Sequence, residues 1–219
     1  MDDDMKKIKE FFHKLATFLK KEKDDLVRIE NSLKKITQKI LKDKHFKYFI
    51  ERLLPENRAC EPYWHYILFF ELHKKFNNKG FNVAKDKDNK YDLWIEKNTM
   101  EIFVAELKGP FKNQWFQADH FQFNFDEDIT NYDWRNDIKK LCELKKENSH
   151  KYLLYMISSD ILSRNDEILK KFKEILDNGS FEITNTSNNK NYKFVERWRI
   201  VKKYKNTEIY ALFWKLENN

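Results

Sequence analysis

The chain has 219 residues, 41% hydrophobic and 16% aromatic, with a formal net charge of +7; it can bury a substantial core, is not a disordered protein, and favours a polyanionic partner. Two cysteines, Cys60 and Cys142, are too few for a disulfide framework or a zinc site, and no run reaches the ~18 to 20 apolar residues that cross a bilayer. The acidic opening MDDDMKKIKEFF lacks the apolar core of a secretory signal, so the sequence reads as cytoplasmic, with no membrane and no disulfide-linked partner.

Residues 6–42 carry a helical period. Ile8, Phe11, Phe12, Leu15 and Leu19 recur at three- and four-residue steps, and so do Leu26, Ile29, Leu33, Ile36 and Ile40. The polar gap at residues 22–25 predicts two helices, whose stripes need each other, the rest of the chain or a second subunit as partner. A shorter helix at 45–54 completes a helical N-terminal region, residues 1–58, for dimerisation or for packing on the remainder, residues 59–219.

Residues 61–77 predict a stronger helix, with Pro62 suited to its first turn. Glu71 lies within its apolar stripe, beside Leu68 and Leu72, where an unpartnered carboxylate is costly. Residues 81–85 read as a strand, and two more follow at 91–96 and 100–108. Alternation puts Asp92 and Trp94 on one face of the first, and Ile102, Val104, Glu106 and Lys108 on one face of the second. The short polar break at 97–99 predicts an antiparallel hairpin with Asp92 opposite, or one place from, Glu106. Two adjacent carboxylates suit Mg²⁺, or Mn²⁺ in its stead, which takes one or two carboxylates together with water and phosphate oxygens. A nearby lysine can offset charge on a phosphoryl group. Other acid-x-lysine pairs, at Asp4/Lys6, Asp88/Lys90, Asp137/Lys139 and Glu143/Lys145, do not end an apolar strand-like run and are set aside.

Asp92, thirteen residues, then Glu106-Leu107-Lys108 resembles the PD-(D/E)xK nuclease superfamily, with Tyr91 standing where the motif has proline. The resemblance spans residues 61–158. It implies a restriction-endonuclease-like α/β fold, a mixed central sheet flanked by helices, and a Mg²⁺-dependent endonuclease acting on DNA in restriction, repair or defence. It also implies that Asp92 and Glu106 hold the metal, that Lys108 is catalytic, and that Glu71 assists from the preceding helix. Loss of catalysis with retention of nucleic-acid binding, or action on RNA or branched DNA, are the alternatives. A homodimer is expected if the target is a palindrome.

The aromatic stretch at 110–130 is expected to fill core more than to touch substrate, and His120 beside Asp119 is not promoted as a dyad. Residues 132–147 predict a helix with Ile138, Leu141 and Leu144 facing in, and 151–158 a buried strand. Strand, crossover helix and strand predict parallel pairing. Helix, three strands, helix, strand is the order that the family core requires. A further helix at 165–177 precedes strands at 181–186, 194–204 and 208–216, the last two forming a C-terminal β-hairpin. Arg135 and Lys139 on the crossover helix, and Arg197, Arg199, Lys202 and Lys203 on the hairpin, are the candidate nucleic-acid contacts.

Overall fold

The computed structural model describes residues 2–53, 61–85, 92–98, 100–108, 121–127, 134–144, 149–159 and 166–217. It is an α/β structure whose described strands form one mixed eight-stranded sheet in the order β1-β2-β3-β5-β8-β7-β6-β4. In chain order the α-helices are α1 (Asp2–Ile40), α2 (Lys44–Tyr48), α3 (Glu61–Phe76), α4 (Trp134–Glu143) and α5 (Asp166–Asn178). The strands are β1 (Phe81–Ala84), β2 (Leu93–Lys97), β3 (Met100–Lys108), β4 (Gln122–Phe123), β5 (His150–Ser158), β6 (Ser180–Asn185), β7 (Lys190–Lys203) and β8 (Glu208–Leu216). No described helix is long and apolar enough to cross a membrane.

Strands β1, β2 and β3 form an antiparallel meander. The β2–β3 turn is tight: Lys97 pairs with Met100, and Asn98 takes a left-handed φ of 51°, which asparagine tolerates. Strand β3 then runs parallel to β5, as the crossover helix requires. Ile102 departs from the expected alternation. Ile95 pairs with Phe103 and Glu96 with Glu101, so Ile102 is the extra residue of a bulge and turns into the opposite core from Val104.

Each sheet face has its own core. On one, Ile29, Leu33 and Ile36 of α1 and Trp64, Leu68 and Leu72 of α3 pack against Ile95, Ala105, Leu107 and Leu154. On the other, Ile138 and Leu141 of α4 and Phe172 and Ile175 of α5 pack against Trp94, Val104, Leu153 and Tyr155. Phe121, Phe123 and Phe125 are buried in this second core, as expected of aromatics there; Trp115, Phe116, Asp119 and His120 lie outside the described residues.

The break expected at residues 22–25 is absent, and α1 runs unbroken for 39 residues, about 58 Å at ~1.5 Å per residue. The gap in the apolar stripe is made of lysine, glutamate and aspartate, without proline or glycine, and these residues do not interrupt a helical backbone. The C-terminal half of α1 packs on the sheet and is fastened by polar contacts. Lys97 pairs with Asp25 and lies 4.7 Å from the Phe81 ring centroid. The buried Glu30 accepts the Tyr152 hydroxyl at 2.7 Å, and Arg197 Nη2 and Nε donate to its Oε2 at 3.0 and 3.2 Å. The Tyr204 hydroxyl donates to the Leu41 carbonyl at 2.7 Å.

Helix α5 ends at Gly179, whose φ of 61° suits glycine and whose N–H donates to the Ile175 carbonyl at 3.0 Å. No atom lies within 4 Å of a Cβ added there. Gly179→Ala should therefore cost only the backbone term, about 1 kcal/mol. Urea unfolding checks this, and an unchanged midpoint would contradict the left-handed turn.

Candidate functional site

The hairpin register pairs Leu93 with Ala105, which places Asp92 across from Glu106. Asp92 sits at the bend just before β2, and its Oδ2 accepts the Leu107 N–H at 2.8 Å, a cross-strand bond that fixes the carboxylate beside Glu106. Glu106 is on β3 and points with Val104 towards α4. It is 1% exposed, and its Oε1 is buried and accepts no hydrogen bond among the described residues.

From the other side, α4 contributes Asp137, which is 2% exposed. Lys108, at the end of β3, lies with its Nζ 2.9 Å from Asp137 Oδ2, and Lys140 Nζ is 3.7 Å from Oδ1. Three acids and two lysines thus meet where β3 ends under the crossover helix.

The electrostatics follow from burial in like-charged company. Burial holds the Glu106 carboxyl well above the usual carboxylate range, and the charges of Asp92 and then Asp137 push it further; when protonated it donates to Asp92. Asp137 is raised to about 6, chiefly by burial, against the lowering pull of Lys108. A buried carboxylate oxygen without a donor, beside a second carboxylate, is a place where a cation lowers the energy of the fold. Among the described residues no group of three or more His, Cys, Asp or Glu side chains is arranged to hold a metal ion.

The chain matches no protein-family model, and no curated protein or solved structure is significantly similar to it.

Asp92, Glu106 and Lys108 are brought together, but Glu71 is not with them. It lies on α3, whose packing covers the sheet face away from α4, and its Oε1 accepts from Lys39 Nζ of α1 at 2.8 Å. The carboxylate in its apolar stripe is explained by that ion pair at the α1–α3 contact. Asp137 is the acid that joins the site from a helix, although it belongs to one of the acid-x-lysine pairs set aside. It carries the same signal that drew attention to Glu71, since Asp137, Leu141 and Leu144 fall on one helical face.

Two of the arginines expected to contact nucleic acid are held by partners within the chain. Arg197 is engaged with Glu30, and Arg199 donates to Glu196 Oε2 at 2.8 Å and to the Leu176 carbonyl. Lys202 and Lys203, with Lys205, line a groove beside the end of α1. Arg135 and Lys139 are half-buried on α4.

Proposed function

We propose that the chain is a metal-dependent endonuclease of the PD-(D/E)xK type that hydrolyses DNA phosphodiester bonds, with Asp92 and Glu106 holding Mg²⁺. The single observation that carries this is the unsatisfied, buried Glu106 carboxylate facing Asp92 with Lys108 at the rim. The order α3-β1-β2-β3-β4-α4-β5, in which the two-residue β4 pairs with β6 at the far edge and β3 runs parallel to β5, supports a restriction-endonuclease-like core. When bound, Mg²⁺ polarises the phosphodiester and supplies a more acidic water.

The chain's own residues do the positioning. Leu107 N–H orients Asp92, and burial keeps bulk water from Glu106. Lys108, held by Asp137, offers an ammonium to the charge that grows on the phosphoryl oxygens as water oxygen bonds to phosphorus and the bond to the leaving sugar oxygen breaks. Lys140 offsets part of the remaining charge on Asp137.

Plasmid and linear DNA incubated with Mg²⁺, Mn²⁺ or EDTA test the reading. Cleavage should require metal and fall by about 10³-fold or more in Asp92→Ala, Glu106→Ala and Lys108→Ala. Asp137→Asn should cost about 10- to 100-fold by loosening Lys108, whereas Glu71→Gln should leave cutting intact. A folded Glu106→Ala protein that cuts at the native rate would end the proposal. So would a folded native protein that binds DNA in a salt-sensitive way yet cuts under no metal condition.

A further inference from the structure

Parallel pairing of β3 and β5 puts their C-terminal ends, at Lys108 and Ser158, at one end of the sheet. Strand β8 is antiparallel to β5 with Ser158 opposite Ile209, so the turn joining β7 to β8 lies at that end too. The Thr207 hydroxyl within this turn is 3.0 Å from that of Ser158. Helix α1 also ends there, since Tyr204 bonds to the Leu41 carbonyl.

The end of α1, α2 with the residues after it, and the β7–β8 turn form a groove of about 510 Å³ whose lining includes Lys42, Lys47, Lys202, Lys203 and Lys205. Its lining acid, Glu51, is 3.9 Å from Lys47 and also accepts the Lys205 backbone N–H at 3.3 Å. Lys42 continues into a second groove with Lys35 and Lys39 of α1. Lysines that diverge on a convex surface are solvated cheaply, but here elements far apart in sequence bring them into one concavity, where they repel one another. Further along the same flank, burial and then the charges of Lys35, Lys79 and Arg28 lower the pKa of Lys75. An anion in the concavity relieves that repulsion.

The groove is placed for the substrate of the proposed nuclease. Strands β8 and β7 are the second and third neighbours of β3, so at a strand spacing of ~4.8 Å the groove lies about 10 to 14 Å from Lys108 along the sheet, at the same end of the sheet but towards the face that α1 covers. That span corresponds to about 3 to 4 base pairs at ~3.4 Å each. We propose that the groove between the end of α1, α2 and the β7–β8 turn holds the phosphate backbone of duplex DNA flanking the bond that is cut. The inference rests on the nuclease reading for the identity of the polyanion, but its test does not depend on cleavage.

The test is binding of a fluorescent duplex in EDTA by the native protein and by Lys202→Glu/Lys203→Glu/Lys205→Glu, over a range of salt, with thermal melting to verify folding. Each lysine on a phosphate contributes about 0.9 to the slope of log K against log salt, so the variant should lose about 2 to 3 in slope magnitude and bind about 10- to 100-fold more weakly at 0.1 M salt. A folded variant with native affinity and slope overturns the proposal. So does a variant that keeps DNA binding but loses binding to phosphatidylserine vesicles, which would assign the groove to a lipid surface. If binding falls as expected but the native protein never cuts, the groove stands and the nuclease reading fails. If native cutting needs metal and Glu106 while the lysine variant binds and cuts normally, the groove fails alone.

Discussion

A Glu106→Gln protein should melt at a higher temperature than the native chain at pH 7.5 in EDTA, and it should cut no DNA. Both effects come from one feature, a carboxylate buried beside Asp92 and Asp137 with an oxygen that lacks a donor. Because its pKa in the folded state is raised, folding favours the protonated carboxyl. Ionised Glu106 therefore opposes folding, in a way that sets in as pH rises above the ordinary carboxylate range and is complete once pH exceeds the raised folded value. Glutamine keeps the shape and an N–H to donate to Asp92 but carries no charge. The gain should be about 1 to 3 kcal/mol, of the size measured for unsatisfied buried groups, or about 2 to 12 °C at ~2 to 4 °C per kcal/mol. The difference should shrink as pH falls towards 4, where native Glu106 is itself protonated. Adding Mg²⁺ should raise the native melting temperature and leave that of Glu106→Gln unmoved. Calorimetry at several pH values decides the matter: a variant less stable than native at pH 7.5, or one whose advantage grows in acid, would contradict the buried charge.

The second large effect lies far from the hairpin. Glu30→Ala should cost about 3 kcal/mol, because it strands the buried Tyr152 hydroxyl and leaves Arg197 without its carboxylate. Glu30→Gln, which can still accept from Tyr152, should cost less, and Arg197→Ala less again, since that guanidinium side chain is already 42% exposed. Urea unfolding of the three variants gives the ranking. Equal losses, or a Glu30→Ala loss under about 0.5 kcal/mol, would show that α1 is held by its apolar stripe alone.

The hairpin was legible because its signals are local. Alternation fixes which residues share a face, the break after Lys97 fixes the turn, and together they set Asp92 against Glu106 and bring Lys108 alongside. The apolar run at 151–158 likewise announced a buried strand, and the helix before it announced parallel pairing. Glu71 and Asp137 show where local signals end. Each is an acid in an apolar helical stripe, and what separates them is which sheet face the helix covers, a property of the chain path that neither helix carries in its own residues. Arg197 is similar, since its partner lies 167 positions away on α1. The misread break in α1 has another cause: a lapse in apolar periodicity marks a change in what the helix touches, and only glycine, proline or a cap marks where its backbone stops.

Strand β8 lies between β5 and β7, inside the sheet, and is the last of the described strands to be synthesised. Until it emerges, β5 has β3 on one side and an open edge on the other, while β7 and β6 have no bridge to the carboxylate-bearing strands. A nascent chain halted before Glu208 already carries the hairpin and α4 that set Asp92, Glu106, Lys108 and Asp137 together, but its β5 lacks a second neighbour. The half of the sheet that carries these residues therefore keeps an open edge until residues 208–216 emerge, and β8 is the strand that joins it to β7 and β6.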